Sequence, residues 1–167
     1  MLSKNFKHWI SCDDPKRCAT CEKMHGKIYR ITETPKPKPP LHPFCRCTIK
    51  IMEALKAGTV TENKLDGADF WLKYVGYLPD YYISSYAASL EGWKPSKWPS
   101  NFVADRTITM GEYENFNGHL PDSPGRKWFE ADINYKTGKR NSERIVYSND
   151  GLIFATYDHY KTFYEII

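Results

Sequence analysis

The sequence predicts an α+β chain in two unequal parts: a small Cys-rich N-terminal module, then N-terminal helices packed on a C-terminal antiparallel β-sheet. Three observations carry this. Helical apolar spacing occurs only in the middle of the chain, short β-rich runs separated by turn signals occupy the stretch after Arg126, and all five cysteines lie at or before Cys47. Helices first and strands afterwards indicate segregated α+β architecture rather than alternating α/β units.

The first element to justify is the front. Residues 34–44 carry five prolines in eleven positions; each fixes φ and removes a donor, so this stretch reads as an extended loop with the cysteines closing around it. A short helix is expected over residues 51–57, and Gly58 to Thr61 form a boundary, giving a module over 1–57 and a second domain over 62–167. There, Leu65, Ala68, Leu72 and Val75 fall at i, i+3, i+7 and i+10 and, with Trp71, mark one apolar helical face. Gly76 and Pro79 stop that helix, and a second one runs from Ser84 to Leu90, ending near Gly92. Strands are expected over 127–135, 144–148, 152–156 and 162–167, with turns at 136–139, 149–151 and 157–160.

Composition narrows the function. A hydrophobic content of 41% and a charged content of 26% are those of a soluble globular protein. No apolar run approaches the roughly 18 residues of a membrane span, so none is expected. Residues 1–11 are basic but lack an apolar core, so no cleaved signal peptide is expected; export would depend on something outside this chain. The net charge of +4 conceals an asymmetry: residues 1–60 hold 12 Lys+Arg against 5 Asp+Glu, a balance of +7, and residues 61–167 hold 12 against 15, a balance of −3. Capture of an anionic polymer by the second part therefore has to be local, around Lys136, Lys139, Arg140 and Arg144.

Glu130, Arg140, Arg144 and His159 stand out among the strands and turns. Spacing alone also fits a solvated sheet face, two turn arginines and a loop histidine. Longer strings are more specific. They are Leu78-Pro79-Asp80-Tyr81-Tyr82-Ile83, Leu90-Glu91-Gly92-Trp93, Gly118-His119-Leu120-Pro121, the run from Gly125 through Trp128-Phe129-Glu130-Ala131-Asp132-Ile133-Asn134-Tyr135, Arg140-Asn141-Ser142-Glu143-Arg144, and Thr156-Tyr157-Asp158-His159-Tyr160. In order and almost without gaps over about residues 65–167, they resemble the barnase-like microbial ribonucleases. The resemblance implies a metal-independent endoribonuclease with Glu130 as general base, His159 as general acid, and Arg140 and Arg144 as the phosphate-binding pair. Such a set suits RNA: a base takes the 2′-OH proton, an acid protonates the leaving 5′-oxygen, and guanidiniums hold the phosphoryl charge. Tyr160, Asn115, Phe116, Asn117 and Lys139 are the expected substrate contacts.

Two features depart from that family. Ser85 stands where an active-site lysine is expected, leaving Lys94, Lys97 or Lys139 to compensate. Phe116 and Asn117 replace an arginine–glutamate pair in the guanine-binding loop, which implies weaker guanine preference, because an amide cannot accept two hydrogen bonds as a carboxylate does.

In the front, Cys18-x-x-Cys21 and His42-x-x-Cys45-x-Cys47 have the spacing of two halves of a tetrahedral zinc site, four of the five supplying ligands. Disulfides are the competing use of these thiols, made untidy by an odd count. The arrangement from Trp9 through the Pro40-x-His42-Pro43-x-Cys45-Arg46-Cys47 run resembles the end of phage Mu-type head-morphogenesis proteins, segments of a kind that also precede toxin domains in bacterial polymorphic toxins. That resemblance implies a toxin delivered as part of a larger secreted protein, acting on RNA in a target cytoplasm and neutralised by a cognate, acidic inhibitor. A zinc-containing nucleic-acid-binding protein and a phage-head component are the non-catalytic alternatives. An acid–base pair has no use in either.

Overall fold

In the computed structural model, which describes Met1–Ile167 throughout, the chain divides into two units. The first comprises Met1–Ala54 and Asn115–Gly125, the second Leu55–Glu114 and Arg126–Ile167.

The first unit is built on three antiparallel strands, β1 (Leu2–Ile10), β2 (Ile28–Arg30) and β3 (Thr48–Leu55), with β1 central. Ser3, Phe6 and Trp9 are the buried positions of β1, a three-residue spacing that no regular strand shows. A register shift between Leu2 and Lys7 accounts for it. Ser3 Oγ accepts the Asn5 and Phe6 N–H groups at 3.0 and 2.8 Å, so the chain bulges and re-aims the following side chains inward. Residues 51–55, expected as helix, belong instead to β3, with Met52 and Ala54 turned inward and their neighbours outward. Leu, Met, Glu, Lys and Ala have good helix propensity, but pairing with β1 and burial on one face override it. The proline-rich stretch is extended and irregular as expected. A single-turn-and-a-half helix, α1 (Ala19–Met24), is capped by Cys18, whose Sγ accepts the Cys21 N–H.

The second unit is a six-stranded sheet in the order β9-β8-β7-β6-β5-β4. Its strands are β4 (Tyr82–Ser84), β5 (Thr107–Tyr113), β6 (Trp128–Asp132), β7 (Arg144–Ser148), β8 (Ile153–Thr156) and β9 (Tyr164–Ile166). All neighbours are antiparallel except β4 and β5, so the sheet is mixed, a correction to the purely antiparallel expectation. The last two strands on that side escape a sequence reading because β4 is three residues long and polar groups interrupt β5. The four later strands match their expected places with trimmed ends.

Helix α2 (Ala68–Tyr74) is shorter than its apolar spacing suggests. Ala68 and Leu72 are buried, whereas Leu65 sits in a preceding single turn at 63% exposure and Val75 is the exposed C-cap. Only the central half of the predicted stripe therefore faces the sheet, where it meets Ala131, Ile133, Ile145, Ile153 and Ala155. The second helix, α3 (Ser85–Leu90), starts where Ser84 predicts, its Oγ accepting the Ala87 N–H. Beneath it Ala88, Trp93, Val103 and Ile108 form a separate cluster. Helical residues are thus few and the sheet dominates. No helix is long and apolar enough to cross a membrane.

Asp69, fully buried in α2, holds the chain that leads into this unit. It accepts the Gly58 and Val60 N–H groups at 2.7 and 2.9 Å and the Thr61 hydroxyl at 2.7 Å. Asp69→Ala strands three donors, two of them buried, and is expected to cost about 3 kcal/mol in urea unfolding; a loss below about 1 kcal/mol would mean that water replaces the carboxylate.

Candidate active site and thiol cluster

Strand pairing decides which side chains share a face. Glu130 lies opposite Val146, and Asp132 opposite Arg144, which in turn faces Thr156. These residues therefore project from the face opposite the one covered by α2, whose partners Ala131 and Ile145 alternate with them. On the other flank Glu130 pairs with Gly111, at a register shift in β5. Gly111 adopts φ +83°, which the bulge requires and an L side chain resists, and Thr109 Oγ1 donates to the Glu130 carbonyl at 2.7 Å.

Asp132 anchors the basic pair. Its side chain is 1% exposed; Arg140 donates to it in bidentate fashion, Nε at 2.7 Å and Nη2 at 2.6 Å, and Arg144 Nε lies 3.0 Å from Oδ1. Arg144 Nη1 donates to the carbonyls of Asn141 and Glu143, both at 2.8 Å. These bonds commit most of the guanidinium donors to the protein. Arg140 Nη1 and Arg144 Nη2 make no bond to the protein, and Arg144 Nε is buried beside Asp132 without a well-formed hydrogen bond. Burial lowers the Arg140 pKa, but Asp132, Glu130 and Tyr160 outweigh it and raise it.

His159 and Tyr160 sit on the turn after β8, both with left-handed backbone (φ 58° and 68°). Asp158 organises that turn by accepting the Lys161 and Thr162 N–H groups at 3.1 and 2.9 Å and the Thr156 hydroxyl at 3.0 Å. Burial pushes the Asp158 carboxyl upward, but these donors prevail and lower it. The Tyr160 N–H returns to Thr156 Oγ1, and the His159 N–H to the Ser142 carbonyl. The Tyr160 hydroxyl donates to Glu130 Oε2 in a short hydrogen bond. Burial first, and the hydrogen bond to Glu130 second, raise the Tyr160 phenol well above its ordinary range. Its ring stacks on Tyr113 at 5.1 Å and meets the His159 imidazole edge-on at 4.7 Å. Tyr160 thus bridges the two residues expected as base and acid, leaving Glu130 Oε1 free and His159 exposed.

Glu130, Arg140, Arg144, His159 and Tyr160 therefore converge, while Lys139 is exposed and makes no ion pair. Asn115, Phe116 and Asn117 belong to the first unit. There the Asn115 amide brackets Leu120, donating to its carbonyl at 2.9 Å and accepting its N–H at 3.1 Å, and Asn117 Oδ1 accepts the His119 N–H at 3.0 Å. Phe116 is 89% exposed. Sequence reasoning missed two contributors. Asp132 alternates with Glu130, a signal equally given by any polar strand face, and Tyr113 lies on a strand that the sequence did not reveal.

The thiols form a second cluster, in the first unit. His42 Nε2 is 3.3 Å from the Sγ atoms of both Cys18 and Cys21, and Cys21 Sγ is 3.6 Å from Cys45 Sγ. Cys21, Cys45 and Cys47 form an overlapping trio, and none of the five cysteines is in a disulfide. Ligands at Zn–S and Zn–N bond lengths around a tetrahedral ion stand about 3.5–3.8 Å apart, and the separations within each trio are close to that range. The Cys21 N–H lowers the Cys18 thiol to about 7. Burial pushes the Cys45 thiol up, but backbone donors at Leu41 and Cys47 bring it to about 6. Both are therefore disposed to the thiolate form that a metal needs. Cys12 lies outside both groups, and His25 Nδ1 accepts the Ser11 N–H at 3.0 Å.

A mixed sheet holds a carboxylate on one face beside two partly committed guanidiniums and a histidine on the adjoining turn, groups that are able to handle a phosphodiester. Comparison with known proteins makes the class specific: residues 73–167 match the ribonuclease family, and the chain belongs to it. Over 106 residues, 62% of this chain, it is 47% identical to a ribonuclease of Heyndrickxia coagulans, covering 96% of that protein, and to one of Bacillus pumilus, covering 65%. Residues 2–50 match the family described as Phage Mu protein F like protein.

Asp132→Asn removes the shared counter-charge of two guanidiniums while keeping the shape. Expected outcomes are a stability loss of about 3 kcal/mol in urea unfolding and a fall in RNA cleavage of at least about 10-fold under conditions where the variant is folded. Full activity in the folded variant would show that the arginines need no carboxylate to hold them.

Proposed function

We propose that this chain is a metal-independent endoribonuclease that cleaves single-stranded RNA through a 2′,3′-cyclic phosphate. The observation carrying this reading is the Tyr160 bridge, which joins a half-buried carboxylate to an exposed imidazole on a sheet face that also bears the arginines. Glu130 takes the proton from the ribose 2′-OH, and that oxygen bonds to the adjacent phosphorus. The bond from phosphorus to the 5′-oxygen breaks as His159 delivers its proton there. Water then opens the cyclic phosphate with the two roles exchanged. Each positioned proton transfer contributes roughly 10²–10⁴ in rate. Arg140 Nη1 and Arg144 Nη2 are the donors left to hold the phosphoryl oxygens. The nucleophile is internal to RNA, so the reaction requires no metal-activated water. Tyr113 and Tyr160, stacked together, offer an aromatic surface to a base or ribose.

Glu130→Gln and His159→Ala should each lower cleavage at least about 10²-fold in EDTA with unchanged folding, and the wild type should leave cyclic phosphate ends. The rate should follow a bell-shaped pH profile, because one group acts ionised and the other protonated. Either variant retaining full activity removes the mechanism.

The second part of the proposal concerns the front, residues 1–57: one structural zinc held by Cys18, Cys21, His42 and Cys45. The closeness of His42 to Cys18 and Cys21, and of Cys21 to Cys45, supports this set, with Cys47 packed behind it against Trp9. In a segment of this size a bound ion supplies folding energy. Its carrier is a larger, exported protein that delivers the ribonuclease to a target cytoplasm as a toxin, and an acidic inhibitor binds the cationic site in the producer. Elemental analysis of protein purified without added metal should find one zinc per chain, lost with Cys18→Ser. Protein free of zinc whose thiols resist alkylation until reduced would replace the metal with disulfides.

A further inference from the structure

Charge is divided unequally between the two units. The first holds 11 Lys+Arg against 6 Asp+Glu, a balance of +5, and the second 13 against 14, a balance of −1. Within the first, ion pairs engage Arg17 and Arg46 and use up Asp13, Asp14 and Glu22. Nine of its cations are left without a carboxylate partner, against three acids in the same condition.

Two of the nine, Lys7 and Lys38, line one groove of about 480 Å³ that no acidic residue borders. It lies within the first unit, between the β1–β3 strands and the proline-rich segment. Lys7 is in register with Tyr29 on β2 and Ile51 on β3, and its Nζ donates to the Ile31 carbonyl at 2.7 Å. That bond holds the ammonium in place and leaves it two protons to give. Lys38 is exposed and makes no ion pair, and the exposed Thr34 and Thr48 add hydroxyl groups. Buried Pro35 and half-buried Ile49 supply an apolar floor. Prolines on both sides of Lys38 restrict its backbone, so less freedom is lost when a ligand binds.

This lining selects among polyanions. Ammonium groups are compact point charges that suit phosphate oxygens, and the groove contains no guanidinium fork to pair with planar carboxylates. Hydroxyls and an apolar floor between the two charges match a chain of alternating phosphate and sugar. We propose that the groove binds the phosphodiester backbone of single-stranded RNA, without reading its sequence, and that the first unit thereby tethers substrate for the ribonuclease unit. No contact shared by the two units is required, because a strand held on one is concentrated near the other by the covalent connection. RNA as the occupant rests on the ribonuclease reading above; the groove itself does not.

The test uses the full chain and a fluorescent 2′-O-methyl RNA octamer, which has no 2′-OH to attack and so reports binding without cleavage. Anisotropy gives its Kd across salt for wild type, Lys38→Gln and Lys38→Gln/Thr48→Val. Lys73→Gln, at an exposed position of α2, makes the same charge change in the second unit. Lys38→Gln should weaken binding about 3-fold and reduce the slope of log Kd against log salt by about 0.7, the share of one phosphate contact on a single strand. The double variant should lose about 10-fold in all, and Lys73→Gln should change neither quantity. Bound octamer should slow hydrogen exchange at the Lys36, Lys38, Thr48 and Ile49 amides. Unchanged binding by Lys38→Gln, an equal loss in Lys73→Gln, or protection confined to the second unit overturns the groove. A Glu decapeptide that binds as tightly as the octamer, and loses as much in Lys38→Gln, overturns RNA as the occupant in favour of an acidic protein. If wild type fails to cleave ordinary RNA while the octamer results hold, the ribonuclease reading falls and the groove stands.

Discussion

Asp132 carries two guanidiniums while lying 1% exposed at the end of β6, and the arrangement of the reactive face depends on it. At a separation of about 5 Å and an effective dielectric of about 20, two positive charges repel by roughly 3 kcal/mol. A carboxylate touching both removes that cost and fixes their orientation. A buried ion cluster of this kind is weak support for stability, since desolvation offsets the attraction. What it supplies is placement: Arg140, on a loop, and Arg144, on β7, are brought to one point, each with a donor to spare.

The other half of the site is organised by a different device. A turn with two consecutive left-handed residues would be unstable alone, and His159 and Tyr160 occupy it because Asp158 and Thr156 satisfy its backbone donors. The strain puts one side chain into solvent and returns the other to Glu130. Tyr160 thereby joins strand and turn, and its stacking on Tyr113 adds β5 to the same assembly. Three elements distant in sequence are held by a phenol whose hydroxyl and ring are both engaged.

The N-terminal unit shows how a short segment can be ordered from several sources. Phe6, Trp9 and Met52 are fully buried, so it has more apolar interior than its proline and cysteine content suggests. The thiol cluster packs on the same side as Trp9 and Tyr29, which places a polarisable, metal-competent group against aromatic rings. Its helix is only six residues long, far below the length that is stable alone, and both of its ends are tied by side chains from outside its span.

Much of this was legible before any coordinates. The runs after Arg126 are short, β-rich and separated by turn signals, and the Ser84 cap sits where its helix begins; both are local signals, set by the backbone and the immediate neighbours of each residue. The cysteine and histidine spacing likewise anticipated a cluster that the fold assembles. The strings around Glu130 and His159 indicated the ribonuclease family, because many residues in fixed order are hard to match by accident. Other features had no local trace. A bulge gave β1 a three-residue burial period, β3 lies in a segment of good helix formers, and β4 gains its only strand character from pairing with β5. Asp132 looked like any polar residue on a strand until two arginines from other segments met it. Sequence by itself determined the local chemistry and the family of this protein; which side chains share a face, and which of their donors remain for a substrate, was decided by tertiary structure, because both depend on strand register and on partners far away along the chain.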